Sequence, residues 1–283
     1  MFTGKQGFLR KTGTALAALG TVLAASPAMA EIKEFQTGFQ ESASPVMDQI
    51  EAFHTELVYI IVFVCLFVLA LLAWVALKYR ASANPVPSKV HHNTILEVAW
   101  TIIPVIILVV IAIPSFKLLY FEAAIPKPDV TIRAVGKQWF WTYEYADKAA
   151  NFTFDSLHLE DAADKAAGKP RLLGVDNPVY VPVNKVIAID TIGADVIHSW
   201  AMPQMGVKMD AVPGRTNHTW FKATREGIYY GQCSELCGAS HAFMPIELHV
   251  VSEAEYNAWL AAAKKKFTAL AALEAGDTRL ASK

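Results

Sequence analysis

Two long stretches without a charged residue constrain this chain more than any other feature. Residues 57–77, LVYIIVFVCLFVLALLAWVAL, and residues 98–116, VAWTIIPVIILVVIAIPSF, are each close in length to the roughly 20 helical residues that cross a hydrocarbon core. Pro104 and Pro114 fall inside the second stretch, which membrane helices tolerate because neighbouring groups satisfy the freed carbonyls. The sequence therefore predicts a transmembrane helical hairpin over residues 57–121.

The charges beside these stretches predict how the hairpin lies in a membrane. The loop between them is basic and contains Lys78, Arg80 and Lys89, whereas residues 31–56 carry an excess of acidic side chains. Since Lys and Arg in short loops favour the cytoplasmic side, both ends of the hairpin should face outward. We expect residues 31–56 to form an outer N-terminal segment, and the chain after about residue 122 to lie on the same side.

The N-terminus has the layout of a secretory signal. Basic residues come first, an uncharged run follows over residues 12–23, and Ala-Met-Ala at residues 28–30 matches a cleavage site. The apolar core is short and rich in small residues, which favours a cleaved signal over a retained membrane helix. We expect residues 1–30 to be removed and Glu31 to begin the mature chain.

Residues 122–251 carry the pattern of an all-β domain. Short runs such as DVTIRAVG, QWFWTYEY and KVIAIDTI are rich in β-branched and aromatic residues, and Gly, Pro and Asn-Pro turns separate the runs. None of the segments between them looks like a crossover helix. The sequence therefore predicts a Greek-key β-sandwich or barrel with a core of its own.

Two segments depart from the β pattern. Residues 147–170, which include DAADKAAGK, are predicted to form a mobile surface insertion. Residues 252–283 are predicted to form a C-terminal helix and tail. Ser252 opens that helix with a capping box, because a glutamate follows three positions later. We expect the helix to end near Leu273 and the chain to fray beyond Gly276.

Residues 231–245, GQCSELCGASHAFMP, hold two cysteines, a carboxylate, a histidine and a methionine. Cys237, His241 and Met244 have the order and close spacing of the ligands in a blue-copper loop, in which the methionine is a weak axial ligand and a distant histidine completes the set. Soft thiolate and thioether ligands select copper. The loop is therefore predicted to bind copper.

Cys233 adds a second thiolate to this set, and two thiolates can each bridge two metal ions. Each copper ion would then need one imidazole and one weak ligand. His198, in ADVIHSWAMPQMG, is the candidate second histidine, because it lies at the end of a predicted strand that a sandwich could bring beside the loop. The backbone carbonyl of Glu235, between the cysteines, could supply the remaining weak ligand.

Two simpler interpretations of this loop stay open on spacing alone. Cys233 and Cys237 could form a disulfide in an exported domain, although a disulfide would leave His241 and Met244 without a role. A structural zinc ion could take the two cysteines, His241 and a remote histidine, although zinc has little use for a thioether.

Segments along nearly all of the mature sequence point to a known family. They are the helical hairpin, GKQWFWTYEY, VIHSW, KMDAVPGR, YYGQCSELCGASHAFMP and the terminal helix. On these segments the chain resembles subunit II of bacterial cytochrome c oxidase. The resemblance implies a membrane-anchored all-β protein with a cupredoxin-like sandwich in the periplasm, attached to the bacterial inner membrane. It also implies a dinuclear copper centre, CuA, with the ligands His198, Cys233, the carbonyl of Glu235, Cys237, His241 and Met244.

The resemblance further implies an electron-transfer function. CuA would take single electrons from cytochrome c and pass them to the haem and copper centres of subunit I, where oxygen is reduced to water and protons are translocated. The chain contains no C-x-x-C-H motif, so we expect no haem of its own. The expected partners are subunit I and other oxidase subunits, cytochrome c and the lipid membrane, and no nucleic acid.

Roles outside the copper loop are implied by the same resemblance. The carboxylate of Glu235 should face a magnesium ion shared with subunit I. Trp139 aligns with the residue through which electrons enter, and Glu97 aligns with the entrance of a proton-uptake path. The acidic residues expected to dock cytochrome c are Glu144, Asp147, Asp176 and Asp195.

Two features depart from the family pattern. QWFW has phenylalanine where many relatives have tyrosine between the tryptophans, and Met205 and Met209 lie near His198. Neither feature removes a ligand, and we expect both methionines to pack in the core, since methionine commonly fills gaps there.

Two other functions compete with this interpretation. A membrane-anchored copper chaperone or thiol oxidoreductase could also use a C-x3-C pair and a distant histidine, but such proteins resemble thioredoxin and need βαβ alternation, which is missing from this sequence. A quinol oxidase subunit of the same fold should lack the copper ligands, which this chain has.

Overall fold

The computed structural model describes residues 36–145 and 151–281, with side chains as far as residue 269. The predicted secretory signal at residues 1–30 lies outside the described residues, as does Asp147. Two long helices precede a β-sandwich, and a third long helix follows it. The predicted fold class, a membrane-anchored all-β protein with a cupredoxin-like sandwich, is confirmed.

Two apolar helices contain the predicted membrane spans. Helix α1 covers Pro45–Lys78 and helix α2 covers Thr94–Ala123, and both are long and apolar enough to cross a membrane. The side chains of Ser44 and Asn93 cap the two helices by accepting hydrogen bonds from backbone N–H groups of the first turn. Helix α1 begins ahead of the uncharged stretch because its first turn, which buries Val46, packs against the sandwich.

Ten strands within the described residues build the sandwich. They are β1 (Val130–Lys137), β2 (Phe140–Tyr145), β3 (Phe152–Ser156), β4 (Val179–Pro182), β5 (Ile187–Gly193), β6 (His198–Met202), β7 (Val207–Ala211), β8 (Asn217–Phe221), β9 (Gly227–Cys233) and β10 (Pro245–Val251). One sheet has the order β3-β2-β1-β5-β8, and the other has the order β4-β10-β9-β6-β7. The pairs β1–β5 and β4–β10 are parallel and the others are antiparallel, so the chain crosses between the sheets as in a Greek-key sandwich.

Large side chains fill the space between the sheets. Trp141 and Tyr143 of one sheet and Trp200 of the other are at most 1% exposed. Trp200 Nε1 donates a hydrogen bond to Tyr143 Oη at 3.2 Å, which joins the two sheets. Each such side chain stabilises the fold by about 2 kcal/mol, because its apolar surface leaves water. Met205 belongs to this core, as predicted, and Met209 is partly buried.

Both outer ends of the hairpin are fastened to the sandwich. Ahead of α1, Ala43 N donates a hydrogen bond to Gln204 O at 2.9 Å, and Thr224 N donates one to Ala43 O at 2.9 Å. After α2 has turned back to the domain, Trp220 Nε1 donates a hydrogen bond to the carbonyl of Glu122 at 3.1 Å. Hydrogen bonds therefore join the hairpin to the sandwich at two separate places.

The segment predicted to be a mobile surface insertion, residues 147–170, is built into the domain where it is described. Phe152 and Phe154 point into the core from β3, which pairs with β2 at the edge of its sheet. The short helix α3 (Asp161–Ala166) buries the side chain of Asp164 completely. The prediction of a surface insertion is therefore wrong for β3 and for Asp164, whereas the rest of residues 160–168 is exposed, as predicted. The polar composition of DAADKAAGK does not reveal which of its side chains turns inward.

The C-terminal helix α4 spans Glu253–Ala281. Its predicted capping box is confirmed, since Ser252 Oγ accepts a hydrogen bond from Glu255 N at 3.3 Å and Ser252 N donates one to Glu255 Oε2 at 3.1 Å. Phe267 of α4 stacks on Phe152 and Phe154 of β3. The helical backbone continues past Leu273 and Gly276, where an end and fraying were predicted, in a segment rich in the helix formers alanine and leucine.

Two glycines with left-handed backbone allow a test of how tightly α1 is held. Gly206 and Gly214 have φ angles of 70° and 75°. A Cβ at Gly206 would lie 2.9 Å from Met47 N in the first turn of α1, whereas nothing lies within 4 Å of a Cβ at Gly214. We expect Gly214→Ala to lower the unfolding free energy by about 1 kcal/mol through backbone strain alone. Gly206→Ala should lower it by about 3 kcal/mol, because α1 must also move.

Denaturant unfolding of the purified full-length chain in detergent, followed by tryptophan fluorescence, measures both losses. Equal losses in the two variants would contradict a close contact between α1 and the sandwich.

Candidate metal centre

The ends of neighbouring strands frame the predicted ligand loop. Strand β9 ends at Cys233 and β10 begins at Pro245, and Cys233 N donates a hydrogen bond to Met244 O at 3.0 Å. The adjoining strand β6 begins with His198, and Trp200 of β6 pairs with Cys233. His198 thus lies at the end of a strand, as predicted. The ladder brings it to the same end of the sheet as the loop.

Thiol and imidazole groups converge at this end of the sheet. The Sγ atoms of Cys233 and Cys237 lie 3.8 Å apart. His198 Nδ1 lies 3.9 Å from the Cys233 sulfur. His241 Nδ1 lies 3.6 Å from the Cys237 sulfur. The carbonyl oxygen of Glu235 lies 3.3 Å from the Cys233 sulfur. Each sulfur therefore has an imidazole nitrogen beside it, a set of groups that fits metal ions.

Neither cysteine of the loop is in a disulfide. A separation of 3.8 Å is far beyond the roughly 2.05 Å of an S–S bond, and Cys233 and Cys237 are buried free thiols. Met244 is 1% exposed and belongs to the same core cluster as both cysteines. The loop thus offers a thioether as well as thiols and imidazoles, a combination that suits copper better than zinc.

Asp195 orients the imidazole of His198. Its Oδ1 lies 2.8 Å from His198 Nε2, and its Oδ2 accepts a hydrogen bond from Gln138 N at 2.7 Å. Because a carboxylate accepts hydrogen bonds, Nε2 carries a proton, and Nδ1, on the sulfur side of the ring, is the nitrogen that a metal ion would bind. Burial would lower the pKa of His198, but its hydrogen bonds with Cys233 and Asp195 raise it. The sequence offered one indication of this role, a carboxylate three positions before the histidine.

The imidazole of His198 fits because residue 136 is a glycine. A Cβ at Gly136 would lie 2.7 Å from His198 Cδ2. The imidazole is fully buried and packs edge-on against Trp141, with 6.0 Å between the ring centroids. The sequence predicts no role for Gly136, although a glycine inside a strand often marks a close approach of another group.

Trp139 lies against the ligand loop. Its Nε1 donates a hydrogen bond to the carbonyl of Cys237 at 3.2 Å, and the side-chain amide of Gln138 donates one to the same oxygen at 2.8 Å. Gly238 permits this approach, since its φ is 122° and a Cβ there would lie 3.1 Å from the indole ring. Trp139 is only partly buried, while Trp141 is fully buried in the core. Trp139 thus connects the surface with the loop.

The carboxylates predicted to dock cytochrome c have separate structural contacts. Glu144 forms an ion pair with an arginine of β1 at 3.1 Å. Asp176 accepts a hydrogen bond from a backbone N–H at 2.8 Å. Asp195 holds the histidine imidazole, and Asp147 lies outside the described residues. If Glu144, Asp176 and Asp195 dock cytochrome c, they do so while making these contacts within the domain.

Glu97 lies in the first turn of α2 and helps to cap it. Its Oε1 accepts a hydrogen bond from Asn93 N at 3.2 Å, while Asn93 Oδ1 accepts one from Leu96 N at 3.2 Å. Such reciprocal bonds satisfy backbone donors that the helix itself leaves unpaired. Glu97 therefore has a structural contact in addition to its predicted role in proton uptake.

Comparison with known proteins identifies the family. The model described as "Cytochrome C oxidase subunit II, periplasmic domain" matches residues 130–251, and the model described as "Cytochrome C oxidase subunit II, transmembrane domain" matches residues 32–118. The chain belongs to the cytochrome c oxidase subunit II family. It is therefore a subunit of a haem-copper oxidase of the respiratory chain, with two membrane-spanning helices and a periplasmic domain.

Individual relatives are similar over most of the chain. A probable cytochrome c oxidase subunit 2 from Rickettsia bellii is 47% identical over 248 residues, which cover 87% of this chain and 91% of the relative. Cytochrome c oxidase subunit 2 from Cereibacter sphaeroides is 43% identical over 279 residues, which cover 89% of this chain and 91% of the relative. The crystal structure of the periplasmic domain of subunit II from Bradyrhizobium japonicum is 56% identical, covers 51% of this chain and 99% of that structure, and has a TM-score of 0.47.

Family membership and fold together argue against a thioredoxin-like protein. Both sheets are sandwich sheets, and in the part of the chain that the structure describes, each parallel strand pair is connected through further strands of the sandwich and not through a single crossover helix. The copper chaperone or thiol oxidoreductase alternative therefore loses its structural basis.

The two thiols of the loop differ in proton affinity in the metal-free protein. Burial by itself would raise the pKa of Cys233, but hydrogen bonds with His198 and with backbone groups lower it to about 6. Burial, and next the negative charge on Cys233, raise the pKa of Cys237 to about 12. Two thiols this close do not both ionise easily, so we expect Cys233 to lose its proton well before Cys237.

A pH titration of thiolate absorbance tests this difference in the reduced, metal-free chain with Cys65→Ser. From about pH 4 to 8, where tyrosines stay neutral, we expect one thiol to lose its proton near pH 6 and the absorbance to fall again on acidification. Cys233→Ser should remove this step. Two thiols titrating together near the usual value of about 8.5 would contradict the assignment.

Proposed function

We propose that this chain receives single electrons from cytochrome c at a dinuclear copper centre, CuA, and passes them to the haem and copper centres of subunit I. The pair of thiols 3.8 Å apart, each with an imidazole Nδ1 within 3.9 Å, carries this proposal. Two thiolates at that separation can bridge two copper ions. Oxygen reduction and the coupled proton translocation would take place in subunit I.

The ligand set supports electron transfer rather than bond chemistry. The two thiolates would be shared by both copper ions, and His198 and His241 would supply one imidazole to each. Met244 and the carbonyl of Glu235 would supply the remaining weak ligands, so that each ion has a filled coordination set. A filled set leaves no open position for a substrate. When bound, the copper pair would hold one electron and release it again. The strand ladder below the loop keeps the ligands in place, so the geometry changes little as the charge changes.

Removal of a bridging thiolate and removal of an axial thioether should have different effects. We expect Cys237→Ser to abolish the copper pair, because a hydroxyl cannot replace a thiolate shared by two ions. Met244→Leu should keep two copper ions and shift the reduction potential, because only a weak ligand is lost. Copper analysis, zinc analysis and the visible spectrum of each purified variant measure these effects. An unchanged spectrum in Cys237→Ser, or zinc in place of copper in the wild type, would end the CuA assignment.

Glu235 offers a matched control for a backbone ligand. Its carbonyl remains in Glu235→Ala, so both copper ions should stay. Its exposed carboxylate is lost, and with it the proposed magnesium ion at the boundary with subunit I. Magnesium analysis of the assembled oxidase separates these roles. Loss of copper in this variant would show that the side chain, and not the carbonyl, supports the metal pair.

We further propose that electrons enter through Trp139 after cytochrome c has docked on acidic side chains. The indole bonded to the carbonyl of Cys237 supports this route, since Trp139 is partly exposed and also contacts a residue that is a proposed ligand. Acidic residues attract a basic cytochrome c and raise its association rate more than its final affinity. Asp195 is a poor choice for testing the docking, because its neutralisation would also disturb His198.

Variants at the surface and at the indole should separate docking from transfer. We expect the double variant Glu144→Gln, Asp176→Asn to raise the apparent KM for cytochrome c and to flatten its dependence on ionic strength. Trp139→Phe should leave docking intact and slow reduction of the copper centre about tenfold or more, because the bonded indole is lost. Stopped-flow reduction at several ionic strengths measures both. An unchanged rate of electron transfer in Trp139→Phe would indicate that Trp139 serves only to pack against the ligand loop.

Glu97 is proposed to lie at the entrance of a proton-uptake path into subunit I. Ionisable groups near a membrane span are often functional, but Glu97 also caps α2. Glu97→Gln keeps an acceptor oxygen for the cap and loses the titratable proton, whereas Glu97→Ala loses both. We expect both variants to slow oxidase turnover several-fold and to leave reduction of the copper centre unchanged. Full turnover in Glu97→Gln with a loss only in Glu97→Ala would indicate a capping role instead.

The proposed setting is the bacterial inner membrane, with the hairpin over residues 57–121 in the bilayer and residues 122–251 in the periplasm. The basic loop between the spans and the acidic segment before them support this orientation. Protease accessibility in sealed spheroplasts tests it. Cleavage of the sandwich only after the cells are broken open would contradict it.

A further inference from the structure

Between β3 and β4 the chain forms an antiparallel loop over residues 157–178, which we call the strap. His158 pairs with Val175 as an isolated β-bridge, and Leu159 N donates a hydrogen bond to Gly174 O at 3.1 Å. The helix α3 lies between these two limbs. The strap is therefore closed at its base and has a defined structure of its own.

A buried ion pair fastens the strap to β10. Glu247 of β10 has no exposed side-chain surface, and Oε2 accepts hydrogen bonds from Lys169 Nζ at 2.8 Å and Val175 N at 3.0 Å. Its Oε1 accepts one from His249 Nε2 at 2.7 Å. Burial would raise the pKa of Glu247, but the bonds from His249 and Lys169 lower it. Because a buried charge without its partner is strongly unfavourable, Lys169 keeps the strap in place.

The strap also contacts the ligand loop. The ring of His158 packs edge-on against Phe243, with 5.7 Å between the ring centroids and an angle of 73° between the planes. Phe243 ends the 3-10 turn that begins at His241, and Met244 follows directly. The position of Phe243 therefore affects the backbone that presents both proposed ligands.

Asp164 joins the parts of the strap from within. Its side chain is completely buried, and Oδ2 accepts a hydrogen bond from Leu172 N at 3.1 Å and lies 4.0 Å from His158 Nε2. Gly174 packs so closely that an added Cβ would overlap Asp164 Oδ1. Helix α3, His158 and the limb with Gly174 are thus packed as one unit, so a displacement at Lys169 would reach His158.

We propose that Lys169 and Glu247 are positioning residues for the copper ligands. Their ion pair holds the strap on β10, and the strap holds Phe243 in the turn between His241 and Met244. The inference rests on the proposed function, because it concerns the ligands of that copper site. A weak axial methionine tunes the potential of such a site, so a small movement of this turn changes the potential while the metal stays bound.

Three variants of the full-length chain, purified in detergent without metal, test the role of the strap. Lys169→Met removes the charge at similar length, Lys169→Arg keeps the charge, and Lys165→Met makes the same replacement at an exposed site on α3. Amide hydrogen exchange of residues 238–244 reports on the ligand loop. We expect about tenfold faster exchange there in Lys169→Met, and wild-type exchange in Lys169→Arg and Lys165→Met. Exchange in β1 and β5 should stay unchanged in all three.

His158→Ala keeps the test decisive if Lys169→Met does not fold. It removes the contact with Phe243 and leaves the ion pair intact, and we expect the same increase of about tenfold in loop exchange. After copper loading, His158→Ala and Lys169→Met should retain two copper ions and show a shifted visible spectrum and reduction potential. Lys165→Met should show neither shift.

Wild-type loop exchange in a folded His158→Ala, or a rise of equal size throughout the sandwich, would overturn the positioning role. Because exchange is measured without metal, this outcome does not depend on copper. A wild-type chain that binds no copper pair would refute the proposed function, and the exchange data would still decide whether the strap positions the loop.

Discussion

The backbone hydrogen bond from Cys233 N to Met244 O is the constraint on which the site depends. It closes the base of the ligand loop and continues the antiparallel ladder between β9 and β10, so strand register fixes it. A loop whose ends are held together loses little further conformational freedom when it binds a ligand. The adjoining strand β6 then adds His198 at the same end of the sheet. One strand ladder thus assembles groups from two distant parts of the chain.

Around this loop, Gln138 joins three segments that are far apart in sequence. Its backbone N–H donates to Asp195, which orients His198, and its side chain donates to the carbonyl of Cys237. Gln138 and Trp139 lie in the turn between β1 and β2, which belong to the opposite sheet. The two sheets therefore meet at the ligand loop through directed hydrogen bonds as well as through the apolar core. A displacement of one sheet would disturb both histidine orientation and the contact of the indole.

The membrane hairpin is attached to the same sandwich by further hydrogen bonds. Hydrogen bonds at Ala43 and at Trp220 hold both outer helix ends on the sandwich. Electron transfer weakens steeply with distance, so a domain with a proposed electron-transfer site benefits from a fixed position above its membrane anchor. The strap is attached much nearer to the ligand loop, because Glu247, its partner on β10, lies close to that loop in the chain. Both attachments use polar contacts between segments that the sequence keeps far apart.

The sequence by itself determined the features that depend on local pattern. The membrane helices follow from continuous hydropathy, the capping box at Ser252 from one turn of chain, and the crowding of Cys233, Cys237, His241 and Met244 from their separation by a few residues. Tertiary structure alone decided that Asp195 orients a histidine, that Gly136 makes room for it, and that Asp164 and Glu247 are buried in segments of ordinary polar composition. It also decided that α1 begins against the sandwich. These features depend on which strands pair and in which register, and that choice is made by packing between residues many positions apart, which no local pattern contains.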